Sequence, residues 1–335
     1  MSAAAPDLPD FARTGVNLAS AGLGAKALYA TDDFFAPVER MLQDQPAVFV
    51  PDKYDDHGKW MDGWESRRKR VLGHDFAIVR LAVAGRIDGF DVDTSHFTGN
   101  YPPACRIEAC NSATDPDEST VWTEILPTSA LGPSAHHYFA SASREVWTHV
   151  RLHILPDGGV ARLRVYGRPQ IDRASLGDGE IDLASALNGA RIVGFSDAHY
   201  GSYHRLLSPG RGENMGDGWE TRRRRVPGNE WIVVALGARG TISRALVDTA
   251  HFKGNFPDQC SIQAADMSGY GSDADQAIIT SSMFWPTLIA PQKMQADHIH
   301  DLSAHIGAIG PVTHIRLNVF PDGGVSRLRL FGRLA

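Results

Sequence analysis

The clearest periodic signal along the chain is alternation. Val150-Arg-Leu-His-Ile-Leu155 puts apolar side chains at alternate positions, and Arg162-Leu-Arg-Val-Tyr166 repeats the pattern a few residues later. A period of two is that of a strand with one buried and one wet face. Phe76-Ala-Ile-Val-Arg-Leu81 and Trp231-Ile-Val-Val-Ala-Leu236 are further short apolar runs, rich in the β-branched residues that favour strands. Pro156-Asp-Gly-Gly159, between the two alternating runs, predicts a tight hairpin. Local helix is predicted best over residues 34–43, after a cap at Thr31 or Asp32. Short strands with turns rich in Gly and Pro predict β-sandwich architecture.

The pattern occurs twice. Asp62-Gly-Trp-Glu-Ser-Arg-Arg-Lys-Arg70 returns 155 residues later as Asp217-Gly-Trp-Glu-Thr-Arg-Arg-Arg-Arg225. At the same offset Asp93-Thr-Ser-His-Phe-Thr-Gly-Asn100 returns as Asp248-Thr-Ala-His-Phe-Lys-Gly-Asn255. A third block, from Thr148 through Pro156-Asp-Gly-Gly159, returns 165 residues later, from Thr313 to Gly324. The first copy thus has extra residues around 45–59, and the second makes them up between its second and third blocks. Units of this length indicate a tandem domain duplication, because solenoid repeats run to about 20–50 residues. The expected layout is a tail over 1–14, repeats over 15–168 and 182–335, and a linker over 169–181.

Composition narrows the class. Hydrophobic residues make up 43% of 335, enough for real cores, and 33 basic against 39 acidic residues leave a net charge of −6. That mild acidity disfavours bulk electrostatic binding to nucleic acid or anionic membrane. The N-terminus lacks the pattern of a signal peptide, and no run approaches the roughly 18 apolar residues of a spanning helix. Cys105, Cys110 and Cys260 form no CxxC or zinc spacing, which fits a reducing, cytoplasmic setting.

The first repeated block crowds Asp62, Glu65, Arg67 and Arg68 around Trp64, and Asp217, Glu220, Arg222 and Arg223 around Trp219. Arginine offers a planar fork for a carboxylate or a urea-like oxygen, and a neighbouring carboxylate can hold that fork still. The structural alternative is a core tryptophan ringed by ion pairs. The second block offers Asp93, His96 and Asn100, or Asp248, His251 and Asn255: a proton exchanger, a carboxylate to orient it and a neutral amide binder. Its alternative is a turn in which Asp and Thr cap backbone amides. His149 with Arg151, and His314 with Arg316, each share one strand face. His136-His137 and His298-Ile-His300-Asp301 match no established metal spacing, so no metal site is assigned and a divalent ion stays open. Neither a GxSxG elbow nor a phosphate-binding glycine motif is present. The residues together suit a small anionic ligand bearing amides.

These same residues carry a family likeness. Asn17-Leu-Ala-Ser20, Asp32-Asp-Phe-Phe-Ala36, Lys59-Trp-Met-Asp-Gly-Trp-Glu65 with Arg67 and Arg68, and the block from Asp93 to Asn100 resemble allantoicases over nearly the whole chain. The resemblance implies an all-β tandem of two jelly-roll, galactose-binding-like sandwich domains in a homo-oligomer such as a hexamer. It implies hydrolysis of allantoate to ureidoglycolate and urea in purine degradation, with no cofactor predicted. On that chemistry Arg67, Arg68, Arg222 or Arg223 would clamp the substrate carboxylate, and Asn100 or Asn255 would bind a ureido carbonyl. Asp62, Glu65, Asp217 and Glu220 would be the acids or bases, with His96 or His251 as the shuttle. Between the repeats His74 is matched by Asn229, Asp75 by Glu230 and Glu108 by Gln263, so a role for Glu108 would confine chemistry to the first copy. A shared cleft is the other expectation. A different class, a non-catalytic tandem sandwich binding carbohydrate, would want aromatic platforms rather than paired arginines.

Overall fold

A computed structural model describes residues 8–172, 174, 177, 179–271 and 274–335. Residues 1–7 of the expected tail and four positions of the expected linker (173, 175, 176 and 178) lie outside the described residues. The chain resolves into two units, one over Leu8–Gln170 and one containing Ile171–Ala335. Both are built almost wholly of antiparallel strands.

In the first unit one long strand, Asp75–Asp93, organises everything else. Its opening half pairs with Val146–Leu155 on one side and Lys26–Ala30 on the other. Its closing half pairs instead with Arg162–Pro169 and Tyr138–Ala140. The strand therefore passes from one layer of the sandwich into the other, and its two halves have different neighbours. Ala104–Cys110 and Thr123–Ala130 extend the first layer beyond Val146–Leu155. Inward residues such as Val79, Val150, Leu152, Ile107 and Val165 are fully buried, as alternation requires. The second unit repeats the plan around Glu230–Asp248.

Two local expectations are corrected. Residues 34–43 do not form a helix; only a 3-10 turn spans Val38–Leu42. Pro37 has no amide proton to donate and keeps Ala36 extended, so Ala36 bridges to Glu65. Pro156-Asp-Gly-Gly159 is not a hairpin between paired strands either. Val146–Leu155 and Arg162–Pro169 both pair with the long strand, and the turn carries the chain between its two halves.

The copies differ where their lengths differ. The extra residues of the first include a small hairpin, Tyr54–Asp55 with Gly58–Lys59. In the second, a helix over Asp275–Ser281 and a 3-10 turn over Ser282–Phe284 cover one sheet. Ile278 and Trp285 join a cluster with Val193, Val233 and Met267 there. No helix among the described residues is long and apolar enough to cross a membrane.

Candidate active site

The three repeated blocks meet at one place in each unit. Trp64–Glu65 is a two-residue strand paired with Gly159–Val160. Trp64 is fully buried and its indole N–H donates to the Asp32 carbonyl at 2.9 Å, which fixes the depth of its neighbour Glu65. Gly159 must be glycine, because a Cβ there would lie 2.0 Å from the Phe97 ring. Its amide donates to the Asn100 carbonyl at 2.7 Å. The Pro-Asp-Gly-Gly turn thus pins the block of Glu65 to the block of Asn100.

The result is a cavity of about 380 Å³ lined by Glu65, Arg68 and Asn100, with Phe35, Tyr101 and Asp157 among its walls. Asn100 Nδ2 donates to Glu65 Oε1 at 2.6 Å. Burial pushes the Glu65 carboxyl above the usual carboxylate range, and the Asn100 bond only partly offsets this. Arg68 is exposed, so its fork is presented at the rim.

The other candidates of the first repeat lie elsewhere. Arg67 turns to Asp32, with Nε 2.6 Å from Oδ2, and lies over the Phe34 ring. Burial pushes Asp32 up, but the Arg67 bonds outweigh it and hold the carboxyl low. Asp62 is buried against Arg162, Nη2 to Oδ2 at 2.7 Å. His96 sits at φ 70°, stacks on Phe49 and has Nε2 3.1 Å from the Ala47 carbonyl. Asp93 caps the Ser95 amide at 2.7 Å. Asp62, Arg67 and His96 hold loops in place; they do not line the cavity.

The second repeat keeps the frame. Asn255 Nδ2 donates to Glu220 Oε1, and burial again raises the Glu220 carboxyl. Asp217 is buried between Arg205 and Arg327, Arg222 faces Asp197, and His251 Nε2 meets the Gly212 carbonyl at 2.7 Å. Arg223 is exposed. A further cavity of about 370 Å³ in this unit is lined by residues including Arg191, Arg239 and His314, not by Glu220 or Asn255. Both its arginines are already engaged, by Asp275 and Asp266. Among the described residues no three His, Cys, Asp or Glu side chains converge as a metal-binding set.

A family profile described as the allantoicase repeat matches residues 16–170 and again 181–335. A Rhizobium meliloti protein named "Probable allantoicase" is 61% identical over all of this chain and 98% of its own length. A Burkholderia pseudomallei protein named "Probable allantoicase 2" is 57% identical over 98% of each chain. The crystal structure of allantoicase from Saccharomyces cerevisiae superposes with a TM-score of 0.77 at 34% identity, covering 95% of this chain and 93% of that one. The chain belongs to the allantoicase family.

Within these two allantoicase repeats, the cavity walls Phe35, Tyr101 and Asp157 were not singled out from sequence. Asp157 lies inside a motif that reads as a turn, although its carboxylate also accepts from the Lys69 amide at 2.8 Å, which orients the Arg68 loop. Phe35 marks a difference between the copies. The backbone amides that reach the Glu65 carbonyl come from Phe35 and Ala36, whereas those reaching Glu220 come from His199 and Tyr200.

Proposed function

We infer that this chain is an allantoicase, splitting allantoate and water into ureidoglycolate and urea in purine degradation. Its support is the match of both repeats over the full length at 61% identity. We place the chemistry at the first repeat's cavity, on the observation that Glu65, Arg68 and Asn100 share it. Arg68 provides a fork for the substrate carboxylate. Asn100 gives one Nδ2 proton to Glu65 and keeps the other for a ureido carbonyl, with Oδ1 open to a ureido N–H. Glu65, shifted toward its neutral form, donates a proton to the departing ureido nitrogen.

The first test is urea release from allantoate by purified protein, with and without prior chelation. Urea in both arms is the expected result. Its absence from both would overturn the activity, and its loss on chelation alone would overturn a site without metal. Arg68→Ala is expected to lower kcat/KM by about 1.5–3 kcal/mol, roughly 10–150-fold, mainly through KM. An unchanged kcat/KM would remove Arg68 from the site. Cytoplasmic location and homo-oligomeric assembly belong to the same reading, and light scattering reads the assembly directly.

A further inference from the structure

Outside the cavity lining, three side chains of the first repeat form a hydrogen-bonded chain. His74 Nε2 lies 2.8 Å from His153 Nδ1, and His153 Nε2 lies 2.8 Å from Glu108 Oε2. Strand register brings them together: His153 is opposite Phe76 on one side and Arg106 on the other, while Arg151 is opposite Glu108. The second repeat builds the same chain from amides. Asn229 Nδ2 donates to Asn318 Oδ1 at 3.3 Å, and Asn318 Nδ2 donates to Gln263 Oε1 at 3.0 Å. Position for position the connectivity is the same, yet each titratable member of the first repeat has become an amide in the second. Tying two neighbouring strands to the loop that enters a third is achieved by amides alone, so it does not account for His, His and Glu.

The proton positions in the first repeat follow from its acceptor end. Burial pushes Glu108 up, but bonds from His153 and Arg151 outweigh it and keep the carboxyl ionised near neutral pH. An ionised carboxylate only accepts, so His153 carries its proton on Nε2 and offers a lone pair at Nδ1. That lone pair must receive the Nε2 proton of His74, which leaves His74 with a lone pair at Nδ1. The arrangement follows the logic of a base whose tautomer is set by groups behind it. His74 is half-buried; burial and the charge of Arg106 hold it below its ordinary pKa, neutral at pH 7. The other charges facing it are Asp75, Lys69 and Glu108, with Arg151 behind Glu108. The segment that carries His74, though not the His74 ring itself, is bonded to the cavity wall. The amide of Asp75, next to His74, donates to the carbonyl of Pro156 in the cavity wall at 3.0 Å. Lys69, next to Arg68, is ion-paired to Asp75.

We propose that His74 is the proton acceptor for urea release in the first repeat, with His153 and Glu108 as positioning residues, and that the second repeat has no counterpart. This rests on the allantoicase reading. Water loses a proton as its O–H bond breaks and Nδ1–H forms on His74. The hydroxide oxygen bonds to the carbon bearing the ureido groups. The C–N bond to the leaving ureido group breaks, its electron pair going to nitrogen, which takes the proton of Glu65. Solvent then returns the His74 proton to Glu65.

The second repeat supplies the test. A triple variant, His74→Asn, Glu108→Gln and His153→Asn, installs a network that the same scaffold already carries. It is expected to melt as the wild type does, to lose about 10²–10⁴-fold in kcat, and to lose the acid limb of its pH profile. His74→Asn alone, at the half-exposed end, is expected to show the same losses and keeps the test informative should the triple variant fail to fold. An unchanged kcat and acid limb in either folded variant would overturn the proposal. So would a lowered melting temperature at unchanged kcat, the mark of a tie between strands and nothing more. Wild-type urea release is the control: its absence overturns the allantoicase reading itself, a distinguishable outcome.

Discussion

Glu65→Gln is expected to lower kcat for allantoate about 10²–10⁴-fold without loss of the fold. Glutamine keeps an oxygen where Glu65 Oε1 accepts the Asn100 amide, so the contact that orders the cavity survives. What disappears is the transferable proton. The raised carboxyl pKa also fixes the direction of the pH effects. A carboxyl whose folded pKa lies above its unfolded value contributes stability at low pH and loses it as pH rises through the folded value. Above that point the wild type carries a buried charge that the variant lacks, so the variant is expected to be at least as stable at neutral pH. If the neutral form is the proton donor, wild-type turnover falls over the same rise in pH, and the variant shows no such limb. Steady-state urea release across pH, beside thermal melts, measures both. A variant within threefold of wild type would remove Glu65 from the chemistry. Glu220→Gln is the paired experiment, and less than a tenfold loss is expected if the first repeat does the work.

The second large effect is on stability. Arg162→Met is expected to destabilise the first repeat by about 3–5 kcal/mol, because it leaves Asp62 buried without its cation. Arg162 is 1% exposed; besides the Asp62 carboxylate it donates to the carbonyls of Gln45, Asp62 and Ala161. These bonds hold residues 45 and 62 against the strand Arg162–Pro169. Replacing Asp62 with leucine in the same background removes the orphaned charge and is expected to restore part of the loss. The equivalent Arg327→Met should cost less, since Asp217 retains Arg205. Denaturant unfolding of the four proteins decides it. A loss below 1 kcal/mol for Arg162→Met would show that the pair is not what holds this loop.

The sequence by itself determined the duplication, the strand-dominated fold and the family likeness. Each is written in local order: alternation at residues 150–155, turn chemistry at residues 156–159, and blocks recurring at fixed offsets. It also brought Glu65, Arg68 and Asn100 into consideration, since their residue types suit a small anion bearing amides. It could not separate Arg68 from Arg67, one position away, because only the course of the loop points one fork at the cavity and the other at Asp32. It misplaced a helix where Pro37 denies one, and a hairpin where the turn instead carries the chain between the two halves of a long strand. The joining of His74, His153 and Glu108 was likewise invisible, although the exchange of His153 for Asn318 stood in the repeated block. Tertiary structure decided these matters for one physical reason. Periodicity reports which face of a strand is buried, whereas hydrogen bonds, ion pairs and desolvation depend on which distant strand lies beside it and in what register.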